Sequence, residues 1–147
     1  MLVREIRRFT SCTAVPGAPA HYRGLVNIRG QVATIVDLRE RLGWSEHTRL
    51  KQEEKKGYFI ILKTKPEVKE WYKDDVEKRC PWEDRVGIVV DRLGVVQDFT
   101  NDGFQPRPAN LEGISAHFAE GVVELDKNLL IVLNMPALLG YVEVEEE

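Results

Sequence analysis

Metal-ligating and nucleophilic residues are scarce in this sequence, and their scarcity excludes much. There are two cysteines, Cys12 and Cys80, and three scattered histidines, His21, His47 and His117. Neither cysteine has a partner at the two- to four-residue spacing of a zinc site, so no metal is expected. A Gly-rich phosphate loop and a Ser nucleophile elbow are both missing, so no cofactor and no catalytic residue is expected. Cys80-Pro81-Trp82 is a candidate place for a reactive thiol, yet nothing in the sequence sets a His beside it. Charge of one sign is also lacking: the net charge is −3, and the basic residues are spread among the acidic ones. No basic stripe is available for phosphates, which argues against nucleic acid. Apolar runs such as Leu129-Leu130-Ile131-Val132-Leu133 fall far short of the roughly 20 residues of a spanning helix, so no membrane insertion is expected. Arg4, Arg7 and Arg8 break up any secretory signal at the start, and two cysteines suit a reducing compartment. The expected location is the cytoplasm.

What is present is a pattern that occurs twice. It opens at Gly24 and again at Gly121, 97 positions further on. The first copy, 24–43, runs from Gly24 through an apolar strand, the polar tip Arg29-Gly30, an apolar return strand, Asp37 and a short helix to Gly43. The second, 121–140, runs from Gly121 through the same series to Asn134, Pro136 and Gly140. Asp and Asn cap a helix start by accepting from its orphan amides, and Pro136 sits where a first-turn proline is tolerated. Gly43 and Gly140 stand where a helix end favours positive φ. Each copy reads as hairpin, short helix, stop, and a repeat of this length indicates two related halves.

The remainder is mainly β. Residues 2–9 form a strand or short helix of ambiguous period, 11–20 is a Pro- and Gly-bearing loop, and 57–63 and 85–93 are further apolar strands. Residues 64–84 form a charged insertion with helical spacing: Val68, Trp71, Tyr72 and Val76 recur at i, i+3, i+4 and i+8, Pro66 suits the first turn, and Pro81 ends the run. It reads either as a solvated amphipathic helix or as a docking surface using Trp71 and Trp82, aromatics being enriched at interface hot spots. Glu120, Glu124 and Asp126 read as a solvated strand face and hairpin tip rather than as acid–base groups. Residues 141–145 alternate apolar and acidic side chains, as a final edge strand would. Arg29, held on a short rigid turn, is either a solvated charge or a planar donor fork aimed at a partner's carboxylate.

The residues 15–43, from Val15-Pro16-Gly17-Ala18-Pro19 through Gly24-Leu25-Val26-Asn27-Ile28-Arg29-Gly30 to Ile35-Val36-Asp37-Leu38-Arg39, closely resemble the bacterial chemotaxis coupling family CheW. Val3-Arg4-Glu5-Ile6-Arg7, the strand 86–91 and the closing hairpin and helix 121–139 agree in the same order. The resemblance implies one CheW-like domain over 1–147, with two SH3-like five-stranded β-barrel subdomains sharing a hydrophobic core, and short helices. It implies a non-catalytic scaffold that couples a chemoreceptor's cytoplasmic tip to a CheA-like histidine kinase, membrane-associated only through receptor arrays. By the same resemblance the receptor-binding region looks like Val3, Glu5, Gly24, Asn27, Arg29 and Gly30, with Glu5 matching the Glu of the family's Glu-Ile-Arg segment and Arg29 the Arg of its Asn-Leu-Arg-Gly turn. Ile28 replaces the family's usual Leu.

Two departures stand out. Family members carry residues ahead of the position matching Val3, which form opening strands of the fold. Three readings of the edge this leaves stay open: a shortened or misassigned start, a barrel closed by other strands such as 141–145, or a homodimer formed by strand exchange. The second departure is the insertion 64–84, which either alters partner choice or blocks one of the family's contacts. The alternative to the coupling function is therefore a diverged CheW-like protein that binds another partner or associates with itself.

Overall fold

Side chains that alternate between core and solvent mark out the strands of the first unit, and their pairing sets its topology. The computed structural model describes residues 1–43, 57–100, 103–106 and 116–141. They fall into two units, Met1–Leu93 and Gly94–Glu147. The first holds β1 (Val3–Arg8), β2 (Tyr22–Ile28), β3 (Gln31–Asp37), β4 (Tyr58–Leu62) and β5 (Val86–Val90) in one five-stranded sheet ordered β1-β4-β5-β3-β2. Three pairings are antiparallel, while β3 and β5 run parallel, with Thr34 opposite Val86 and Asp37 opposite Val89. The ambiguous period of residues 2–9 resolves as strand. Inward-facing Val26, Ile28, Ala33, Ile35, Phe59 and Ile61 form one buried cluster, against which Phe9, Cys12 and Val89 pack.

The second unit carries β6 (Phe104–Pro106), β7 (Ala119–Leu125) and β8 (Asn128–Leu133), an antiparallel sheet in that order. Five strands form the first sheet as expected, and three are described in the second. The anticipated strand 141–145 lies outside the described residues beyond Tyr141.

The two copies of the pattern, 24–43 and 121–140, have matching hydrogen bonds in the structure. A register shift follows Tyr22 in β2 and Ala119 in β7, just before Gly24 and Gly121. Asp37 N–H donates to His21 O at 2.7 Å, and Asn134 N–H to Phe118 O at 2.8 Å. α1 (Leu38–Arg41) is capped by Asp37, which accepts from the amides of Arg39 and Glu40, and α4 (Met135–Leu138) by Asn134, which accepts from Ala137. Gly43 and Gly140 follow, at φ 85° and 82°. Gly24 is required for a further reason: a Cβ there would lie 2.4 Å from Thr13 O, because residue 13 bridges to Leu25.

The insertion is helical but not one helix. α2 (Lys65–Tyr72) stops at Lys73, whose φ is 48°, then a 3-10 turn leads to α3 (Val76–Arg79). Val68 and Val76 are buried as the spacing predicts, whereas Trp71 is 60% exposed. Trp82 corrects the reading that paired it with Trp71 as a docking surface: it is 1% exposed and its indole N–H donates to Lys63 O at 2.6 Å. With its one polar atom satisfied inside, Trp82 is a core residue of the insertion.

Candidate partner-binding site

Arg29 owes its position to the turn beneath it. β2 and β3 are joined by two residues, Arg29 and Gly30, at φ 52° and 83°. Both signs are positive, as in the type I′ turn whose twist matches a hairpin. Asn27 Oδ1 accepts from Gly30 N–H at 2.9 Å and braces the turn from the strand side. The arginine therefore stands on a short, doubly fixed loop, with its side chain 74% exposed.

Glu5 reaches the same place from the other end of the sheet. It lies on β1, the edge strand opposite β2, and its Oε2 sits 3.6 Å from Arg29 Nη2. Its Oε1 lies 3.9 Å from Arg7 Nε and makes no hydrogen bond among the described residues. The structure thus brings Glu5, Asn27, Arg29 and Gly30 together. Gly24 has a different task, the close approach of residue 13, and Val3 is half-buried on β1 opposite Leu62. Chemically the site is a planar cation at a protruding tip, with a partly buried carboxylate behind it. Such a pair can meet complementary charge on another molecule.

A second polar network escaped the sequence reading. Glu67, in the first turn of α2, accepts from Thr64 N–H and Thr64 Oγ1, both at 3.0 Å. Arg85, just before β5, donates to Glu67 and to Leu62 O, while Arg4 of β1 pairs with the other Glu67 oxygen. Burial by itself raises the Glu67 pKa; the Thr64 amide, Arg85 and the Thr64 hydroxyl outweigh it and hold the carboxyl at about 2. The insertion is thereby fastened to both β1 and β5. The spacing Thr64-Lys65-Pro66-Glu67 is a capping box, the signal from which Glu67 could have been found.

Cys80 lacks the surroundings of a nucleophilic thiol. It is buried, its thiol lies 3.6 Å from Lys63 O, and burial followed by the Glu67 charge pushes its pKa up to about 11. A nucleophilic cysteine needs the opposite shift. Trp71, by contrast, presents an open ring with Lys63 Nζ 4.3 Å from its centroid.

Comparison with known proteins identifies the family. A probable chemotaxis protein CheW of Rhizobium etli is 30% identical over 145 residues, covering 99% of this chain and 80% of the relative. The chemotaxis protein CheW of Treponema pallidum is 29% identical over 146 residues, covering 99% and 76%. The crystal structure of the scaffolding protein TtCheW from Thermoanaerobacter tengcongensis superposes with a TM-score of 0.71 at 22% identity, covering 98% of this chain and 77% of that one, a likeness of fold. The CheW-like domain model matches residues 1–143, and this chain belongs to that family.

Proposed function

We propose that this protein is a scaffold of chemotaxis signalling, coupling chemoreceptor tips to a CheA-type histidine kinase in the cytoplasm. It performs no chemistry of its own, and its two pseudo-repeated halves make up one CheW-like domain. The observation that supports this reading most is Arg29, exposed on a braced tip with Glu5 behind it. Arg29 is the receptor-facing cation; Glu5 orients it, and Asn27 and Gly30 hold the turn. Apolar surface on one of the subdomains supplies kinase affinity, with charge at the rim setting orientation and on-rate. Trp71 adds a docking point belonging to the insertion.

Co-sedimentation of the protein with kinase and receptor tips, all together and then pairwise, tests the proposal. Both partners bind, and kinase activity comes under receptor control. Arg29→Glu weakens receptor binding by about 1–3 kcal/mol and leaves kinase binding intact. A folded protein that binds neither partner would overturn the coupling function, and unchanged receptor affinity in Arg29→Glu would remove Arg29 from it.

A further inference from the structure

β1 does not keep a constant register against β4. Val3 stands opposite Leu62 and Glu5 opposite Ile61, so Arg4 is an extra residue without a counterpart, the mark of a β-bulge. Its effect on Glu5 is large, because a slip of one residue turns every side chain to the other face of a sheet. Opposed residues of an antiparallel pair share a face, and Ile61 belongs to the buried cluster that holds Val26 and Ile28 of β2. The bulge therefore sets Glu5 on the face that Arg29, next after Ile28, reaches. In a straight register Glu5 would lie opposite Ile60 on the far face, and Ile6 would join Phe59. Burial of Ile6 favours that straight register, yet Ile6 is 49% exposed. Another interaction has to hold the bulge.

Glu67 is placed to do so. From the first turn of α2 its Oε2 pairs with Arg4, the bulged residue itself. Its Oε1 accepts from Arg85, which also donates to Leu62 O at 3.0 Å, opposite Val3 where the bulge begins. The same guanidinium extends to the other member of the pair. Arg85 Nε and Nη2 donate to Gln31 Oε1 at 3.4 and 3.3 Å, and Gln31 faces Ile28 across the Arg29-Gly30 turn. One carboxylate of the insertion thus stands behind both Glu5 and Arg29.

We propose that Glu67 is a positioning residue for the Glu5–Arg29 pair. Through Arg4 it fixes the bulge that presents Glu5, and through Arg85 and Gln31 it steadies the turn that presents Arg29. A binding group is only as well aimed as the residues that support it, and here the support comes from the insertion 64–84. The insertion is then a brace beneath the partner site rather than an obstacle to it. That the pair meets a receptor rests on the function proposed above, whereas the control of its geometry by Glu67 does not.

Amide NMR spectra of the full-length protein test this without any partner. Glu67→Gln keeps the shape of the side chain and removes its charge, and the amide signals of Glu5, Arg29 and Gly30 move although Glu67 touches none of them. Glu70→Gln, the same change at an exposed site of the insertion, leaves those signals in place. Affinity for receptor tips falls about three- to tenfold in Glu67→Gln, as expected for residues of one hydrogen-bond network. Kinase affinity is unchanged, and in an Arg29→Glu background the Glu67 substitution causes no further loss. If Glu67→Gln fails to fold, Arg4→Gln, which cuts one arm only, takes its place, with movement expected at Glu5. Unmoved signals at Glu5 and Arg29 overturn the proposal. So does a loss of affinity that adds in full to that of Arg29→Glu, or wild-type affinity in Glu67→Gln where Arg29→Glu binds weakly. If Arg29→Glu itself leaves receptor affinity unchanged, the receptor role of the pair falls, and the amide signals alone decide the role of Glu67.

Discussion

The hairpin β2–β3 with α1 and the hairpin β7–β8 with α4 share a backbone plan and differ at the tip. Each has a glycine after a register shift, a two-residue turn, a capping Asx and a glycine past the helix. The non-glycine tip residues at positive φ are Arg29 in one and Asp126 in the other. Asp tolerates the left-handed region because its short side chain hydrogen-bonds locally, whereas Arg gains nothing there. The second tip is therefore explained by turn chemistry alone. The first needs a reason outside the turn, and the partner-binding role proposed for Arg29 supplies one.

The contrast can be broken most sharply at the glycines. Gly24→Ala is expected to destabilise the first unit by about 3–4 kcal/mol, because a φ of 142° and the Thr13 carbonyl both oppose a side chain. Gly121→Ala costs about 2–3 kcal/mol: its Cβ meets the Phe104 ring, which can swing, and Gln105 O at 2.7 Å, which cannot. Urea denaturation of the two variants checks both the size and the order of these losses. Equal losses would mean that the two bulges are equivalent despite their different neighbours.

The caps give a smaller difference. Asp37→Ala removes two amide contacts and strands Arg23, whose Nη1 lies 2.9 Å from the buried Asp37 carboxylate, for a loss of about 2–3 kcal/mol. Asn134→Ala loses a single amide contact, about 1 kcal/mol. Between these two lies Glu67→Gln, about 1–2 kcal/mol at pH 7. The Glu67 pKa falls from 4.5 unfolded to about 2 folded, so its stabilisation is full above the first value and fades as pH drops toward the second. Denaturation at pH 7, 4 and 2 should show the gap between wild type and variant closing with acid. Arg29→Glu changes stability least, by under about 0.5 kcal/mol, because an exposed pair at 3.6 Å contributes little. A large loss there would make Arg29 structural rather than partner-facing.

Local chemistry was the legible part of this fold. The hairpins, caps and helix stops depend on residues within a few positions of one another, so Gly24, Asp37, Asn134 and Gly140 could be read directly. The resemblance singled out Glu5 and Arg29, but no spacing rule brings residue 5 to residue 29; that takes the β1-β4-β5-β3-β2 order and the parallel β3–β5 pairing. Trp71 and Trp82 look alike in sequence and have opposite fates, because Lys63 O accepts from one indole while the other turns outward. The break at Lys73 was hidden for a similar reason, since lysine is a good helix former and the tertiary arrangement overrides that preference. The Arg4–Glu67–Arg85 network joins three segments far apart in the chain, and only the capping box within it was visible locally.

The braced turn under Arg29 carries one last implication, for selection experiments. Glycine or asparagine would sit at a φ of 52° with less strain than arginine does. A library at position 29 screened for folding alone should therefore drift toward Gly and Asn, while the same library screened for signalling should return Arg. Divergence of the two populations would measure, at one codon, how far the demands of the turn and of the partner pull apart.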